Sequence, residues 1–237
     1  MEEVAFMLIW IGQSCFWLRA GETTIVIDPV APRVGYAAAP IEADVALVSH
    51  EHGDHNFLDM IKGDPTVLRG LSEGGAGWAD IQFKNGDVKI TAFPTYHDDA
   101  QGAKRGKNSM FLIETRGVRI LHTGDLGHTL DPGLVEKIGR VDVLLICVGG
   151  HYTIDAAQAR EVVGQFKPRV AVPMHYKTEK TPSSPIASLD AFLEGWDDVR
   201  RPDQAKAVFG ASLSEYPEGK TAILALPYSE GMNPGDQ

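Results

Sequence analysis

The chain has 237 residues, a formal net charge of −10, and apolar, aromatic and charged fractions of 43%, 8% and 23%, the composition of an ordinary globular protein. That length can bury a sizeable core as one large domain or two small ones. The acidic balance disfavours a nucleic-acid surface or an anionic membrane as partner, and two cysteines far apart in sequence, Cys15 and Cys147, offer neither a disulfide framework nor a thiolate zinc site.

The amino terminus "MEEVAFMLIWIGQ" is acidic where a signal peptide would be basic, and no apolar run approaches the length of a membrane span. A soluble chain in a reducing, cytoplasmic setting is the expectation. "VAFMLIWIG", "SCFWLRAG" and "TTIVIDP" read as short strands joined by polar turns, and "DVALVSH" as a further apolar strand. "NFLDMIKG" reads as a helix with Asn56 or Asp54 near its start. After "PTVLRG", the stretches "DIQFKNGDVKITAFP" and "SMFLIETRGVRILHTGD" read as hairpins turning at Asn85-Gly86 and at Gly117. Helical periodicity then appears in "PGLVEKIG", "TIDAAQAREVVGQF" and "LDAFLEGW", with Asp131 or Thr153 as caps, alternating with the buried strands "VDVLLICVG" and "RVAVPMH". "TAILALPY" is one more strand, and "SEGMNPGDQ" a frayed tail. No repeat or low-complexity tract occurs, and no linker divides the chain before about residue 178.

The stretch "VSHEHGDHN", Val48 to Asn56, packs three histidines and an aspartate into six residues. A metalloprotease helix needs H-E-x-x-H, and Asp54 stands where its second histidine should be. His50 and His52, two apart, converge only on extended backbone, and Gly53 lets the chain turn after them. Several apolar strands end in a residue able to bind a metal: His50, His97, Asp125, His151 and His175. Such strand ends can meet along one rim of a sheet. A set of His50, His52, His97, Asp54, His55, Asp125 and His175 suits two divalent cations sharing a water, which becomes a hydroxide near neutral pH and needs no protein nucleophile.

These residues resemble the H-x-H-x-D-H motif of the metallo-β-lactamase fold hydrolases, here His50, His52, Asp54 and His55, followed in order by His97, Asp125 and His175. "IGQSCF" followed by "IDP", and "HTGD" around Asp125, support the likeness, which extends from about Val4 to Tyr228. The resemblance implies an α/β fold, a four-layer αββα sandwich, built as a single hydrolase domain over 1–237 with its ordered core at about 4–228. It implies His50, His52 and His97 on one metal, Asp54, His55 and His175 on the other, Asp125 bridging, and Asp54 orienting the attacking water. Two divalent ions per chain are expected, zinc first, with manganese, iron or nickel also compatible. The flanking patterns look most like the branch that includes ascorbate-6-phosphate lactonase and N-acyl phosphatidylethanolamine phospholipase D. The implied reaction is hydrolysis of an ester-type bond, phosphodiester or lactone, in a small molecule. β-Lactam or thioester hydrolysis, mononuclear iron oxygenation and a metal-binding sensor without turnover are the alternatives.

Other residues read two ways. His151, in "VGGHYTID", could contact substrate or donate a proton to the leaving group, or could simply open a helix. Lys104, Arg105 and Lys107, after His97, could bind an anionic substrate or form a solvated loop, and Lys177 and Lys180 carry the same ambiguity. His122 is either a donor that orients a ligand or a satisfied core histidine. His128 reads as a loop residue, and Ser14 and Cys15 as packing and turn residues.

Overall fold

The computed structural model describes residues 3–36 and 40–229. Its first strands are β1 (Val4–Gly12), β2 (Cys15–Ala20), β3 (Thr23–Ile27), β4 (Ile41–Glu42), β5 (Val45–Val48), β6 (Ile61–Lys62) and β7 (Thr66–Arg69). There follow β8 (Gln82–Asn85), β9 (Val88–Tyr96), β10 (Lys107–Thr115) and β11 (Val118–His122). Helices then alternate with strands: α1 (Pro132–Ile138), β12 (Val143–Cys147), α2 (Ala156–Phe166), β13 (Val170–Met174) and α3 (Asp190–Leu193), ahead of β14 (Val199–Arg200), β15 (Lys206–Gly210) and β16 (Ala222–Leu224).

Two mixed sheets result. One runs β15-β1-β2-β3-β5-β7 and the other β14-β16-β13-β12-β11-β10-β9-β8. Alternation along β1 explains why both its faces are buried. Leu8 and Trp10 join the core between the sheets, with Phe16, Ile25 and Leu47 opposite Phe111, Ile113, Ile120 and Leu145, whereas Ile9 and Ile11 join a second cluster with Trp17, Val26 and Met60. Each such large apolar side chain contributes about 1.5–3 kcal/mol on burial. This is the expected mixed α/β metallo-β-lactamase fold.

The helical layers are thin. The expected helix in "NFLDMIKG" is a single 3₁₀ turn, Leu58–Met60, after which Ile61 pairs in parallel with Ile41. Between Asn56 and Gly63 too few residues remain to offset helix nucleation, and β-branched Ile61 is better placed in a strand. "LDAFLEGW" likewise yields only the one turn of α3. In α1 the Asp131 side chain caps Gly133 N as expected, but α2 is capped by Asp155 rather than Thr153. The Asp155 carboxylate accepts from Ala157 N and Gln158 N at 3.0 and 2.9 Å, while the Gln158 side chain accepts from Asp155 N, a complete capping box. The β10–β11 hairpin turns at Arg116 and Gly117, both with positive φ (46° and 82°), as a two-residue loop of this twist requires. β15, absent from the sequence reading, pairs antiparallel with β1 and closes one side of the first sheet. Of the tail "SEGMNPGDQ", only Ser229 falls within the described residues. Among the described residues no helix is long and apolar enough to cross a membrane.

Strand direction positions the site. β9 and β11 both run antiparallel to β10, and β11, β12 and β13 run parallel, so the C-terminal ends of β9, β11, β12 and β13 share one edge. His97 and His175 immediately follow β9 and β13, Asp125 lies three residues beyond β11, and His50 two residues beyond β5 in the facing sheet.

Candidate metal centre

The structure brings all seven anticipated metal-binding residues together. Nitrogens of His50, His52 and His97 lie within 4.8 Å of one another, as do donor atoms of Asp54, His55 and His175. Asp125 joins the two groups: its Oδ2 is 3.2 Å from His55 Nε2, 3.2 Å from His97 Nε2 and 3.3 Å from His175 Nε2. A cavity of about 440 Å³ is lined by His52, Gly53, Asp54, His97, Asp125 and His175, together with Arg105 and Tyr152. Larger depressions around Arg116 and around Arg69 hold no comparable donors.

Hydrogen bonds behind the site fix which ring nitrogens are available. Ser49 Oγ donates its one proton to Asp28 Oδ2 at 2.7 Å and so accepts from His50 Nδ1 at 2.9 Å. His55 Nδ1 donates to Asp28 Oδ2 at 3.0 Å. Each ring therefore turns Nε2 toward the cavity: both Nε2 atoms are buried, that of His50 without a hydrogen-bond partner and that of His55 facing only the Asp54 and Asp125 carboxylates. Buried polar atoms are rarely left so. A divalent cation is what such nitrogens fit, and the N/O donor set suits zinc or manganese, iron and nickel alike.

The electrostatics agree. Burial opposes charge on His55, but Asp125, with hydrogen bonds to Asp28 and Asp54, outweighs it and holds the ring well above the ordinary imidazole range. Burial pushes His50 well below that range, and the neighbouring His55 pushes it further. For Asp54 and Asp125 burial favours the neutral acid, yet His55 beside the first, and His175 and His55 beside the second, keep both carboxyls below their ordinary range. Three carboxylates, Asp28, Asp54 and Asp125, thus converge on one buried imidazole, a pull that a cation satisfies.

Sequence reasoning passed over several supporting residues. Asp28 is fully buried and also accepts from Ser49 N at 2.7 Å. Gln13 Nε2 donates to Asp54 Oδ2 at 3.1 Å and lies 2.8 Å from His175 Nε2, while its carbonyl accepts from His175 N. Asn108 Oδ1 accepts from Asp125 N at 3.0 Å as its amide donates to Thr95 and Thr123. Gln13, Asp28 and His175 all have positive φ (52°, 47° and 52°), backbone strain of the kind that clusters at functional sites. The signal for Gln13 and Asp28 lay in "IGQSCF" and "IDP"; nothing in the sequence marked Asn108.

Other expectations divide. His122 is a satisfied core histidine: Nε2 donates to the Ser14 carbonyl and Nδ1 accepts from Gly124 N. Ser14 Oγ donates to Asp125 Oδ1 at 3.2 Å, and Cys15 is buried behind it. His128 bridges the backbone of Tyr96 and Thr129. His151 is exposed and does not line the cavity; Gly150 and His151, both with positive φ (65° and 59°), turn the chain so that Tyr152 lines it instead. Of the basic loop, only Arg105 lines the cavity. Lys104 is paired with Asp99 at 2.6 Å, and Lys107 sits over the Trp78 ring. Lys177 and Lys180 do not line it either. Gly53 does not adopt positive φ; its lack of a side chain makes room for Arg33, since a Cβ there would lie 2.1 Å from Arg33 Nη2.

Comparison with known proteins shows the family. Residues 7–175 match the beta-lactamase superfamily domain. A UPF0173 metal-dependent hydrolase of Anaeromyxobacter sp. (strain K) is 34% identical over 84% of this chain and 85% of its own length, and one from Archaeoglobus fulgidus 30% identical over 72% and 83%. A metallo-β-lactamase superfamily structure from Thermotoga maritima, proposed to be a zinc-dependent hydrolase, is 32% identical with a TM-score of 0.71, covering 94% of this chain and all of that one. With its histidine and aspartate donors at the shared strand edge, this chain belongs to the metallo-β-lactamase superfamily, among the UPF0173 metal-dependent hydrolases.

Proposed function

We propose that the protein is a dinuclear metal-dependent hydrolase that cleaves an ester-type bond, a phosphodiester or a lactone, in a small molecule. The observation that carries this reading is the placement of Asp125 Oδ2 within 3.3 Å of ring nitrogens from both donor groups, the position of a bridging ligand. His50, His52 and His97 would hold one cation, Asp54, His55 and His175 the other. Two divalent ions, zinc first among those the donors suit, would polarise the scissile group and bring a water's pKa near neutrality.

The chain's own groups do the rest. Asp54 is partly exposed and ionised, with one oxygen accepting from Gln13, so its carboxylate can orient an attacking water by accepting its proton in a hydrogen bond. Asp28 and Ser49 hold the Nδ1 protons of His50 and His55, so that Nε2 is the nitrogen left for a cation. The proposal takes these groups to be carried by one domain over 1–237, in the branch that includes ascorbate-6-phosphate lactonase and N-acyl phosphatidylethanolamine phospholipase D. The cytoplasmic setting belongs to the same proposal, supported by Cys15 and Cys147 being free thiols. The test is turnover of phosphodiester, lactone and β-lactam substrates by metal-loaded protein: ester turnover lost on Asp54→Asn supports the reading, and full turnover by a folded Asp54→Asn overturns it.

A further inference from the structure

The cavity wall opposite in chemistry to the metal donors is Arg105 with Tyr152. The Arg105 guanidinium carbon lies 4.8 Å from the Tyr152 ring centroid, and one Nη donates to the His151 carbonyl at 2.9 Å. No carboxylate pairs with it among the described residues, although the chain carries a net charge of −10 and its neighbour Lys104 is paired. A guanidinium has five N–H donors, so most remain for a ligand.

The loop that presents it is held from behind. The Asp98 carboxylate, 5% exposed, accepts from Ala100 N and Gly102 N at 2.8 Å each, from Lys104 N at 2.9 Å and from Arg105 N at 2.7 Å. Four backbone donors on one buried carboxylate fix the Arg105 backbone, and the Tyr152 ring fixes its head, so little entropy remains to be lost on binding. A second guanidinium, Arg33, reaches Gly53 in the wall of the same cavity and also has no ion-pair partner among the described residues.

We propose that Arg105, seated on Tyr152 and positioned by Asp98, forms an oxyanion subsite that selects substrates carrying a carboxylate or phosphate group apart from the bond that is cleaved. Planar bidentate recognition of either group is what a preorganised arginine does well. The proposal rests on the hydrolase reading above for its substrate, but not for its ligand chemistry.

The test uses metal-loaded protein and three nitrophenyl esters that differ only in the tail: neutral, carboxylate and phosphate monoester. The expected result is a lower KM for at least one charged ester than for the neutral one, and the favoured tail identifies which oxyanion the subsite takes. Arg105→Ala should reduce that preference by roughly tenfold or more, the size expected for losing a charge-assisted contact. Arg105→Lys should recover part of it, which keeps the test readable if the alanine variant folds poorly. Equal KM for all three tails, or equal loss for all three in Arg105→Ala, overturns the subsite. Absence of any ester turnover by the wild type would count against the hydrolase reading alone. Calorimetric titration with inorganic phosphate then decides: roughly tenfold weaker binding by Arg105→Ala supports the subsite, and equal binding overturns it.

Discussion

The Asp28 carboxylate accepts the Nδ1 proton of His55 in a 3.0 Å hydrogen bond, and His55 Nε2 is thereby the ring nitrogen turned to the cavity, 3.2 Å from Asp125. A residue distant in sequence and never in contact with solvent thus decides which face of the ring a cation meets. Asp28→Asn keeps the shape but offers an amide donor to a nitrogen that also donates. Metal affinity at the His55 position should fall by about 10–100-fold, measured as metal retained per chain after dialysis against a weak chelator. Retention equal to wild type would show that Asp28 does not set the tautomer.

Glycines beside the site test its packing. A Cβ at Gly127 would lie 2.1 Å from Asp98 N and 2.2 Å from the His97 carbonyl carbon. Gly127→Ala must push the His97 segment away, so it should cost roughly 1–3 kcal/mol of stability and lower metal content. Gly164 lies in α2 with nothing within 4 Å of a Cβ. Gly164→Ala should instead stabilise by about 0.5–1 kcal/mol. Urea denaturation of the two variants should therefore move in opposite directions.

Alkaline stability follows from the two thiols. Burial pushes both Cys15 and Cys147 up to about 12 from 9.0. Below pH 9 both states hold the proton and neither thiol affects stability. Between about pH 9 and pH 12 the unfolded chain loses protons that the native chain keeps, so stability falls as pH rises. The urea midpoint should drop between pH 8 and pH 10.5 in the wild type, and drop less in a Cys15→Ala, Cys147→Ala double variant. At pH 8 neither thiol should react with a disulfide reagent until the protein unfolds.

Much of the site was legible because its donors are consecutive in type and order: His50, His52, Asp54 and His55 in one loop, then single residues at strand ends. The hairpins at Gly86 and Gly117 were legible for the same local reason, since turn chemistry is written in adjacent residues. Asn108 was not, because it acts by reaching from β10 to the Asp125 backbone, a relation that only the paired sheet creates. Tyr152 was hidden behind His151, the more reactive residue type, until two successive positive φ angles turned the chain. The helix read after His55 failed because periodicity over so few residues does not distinguish a helical turn from a short strand.

Metal removal gives a further expectation. The convergence of Asp28, Asp54 and Asp125 on His55 leaves the cation-free protein with buried negative charge that only protonation can offset. Chelator-treated protein should unfold at a lower temperature than the metal-loaded form, and the difference should grow with added metal as binding to the native state requires. An unchanged unfolding temperature would mean that the donor cluster holds no ion.

The central claim is that Asp125 joins two cation positions in one working site. Metal-stripped protein titrated with zinc or manganese, with ester hydrolysis followed at each addition, tests it directly. The account predicts activity that rises until two equivalents per chain are bound, and an Asp125→Asn variant that reaches neither the stoichiometry nor the rate. Full activity at one equivalent, or full activity in Asp125→Asn, would contradict it.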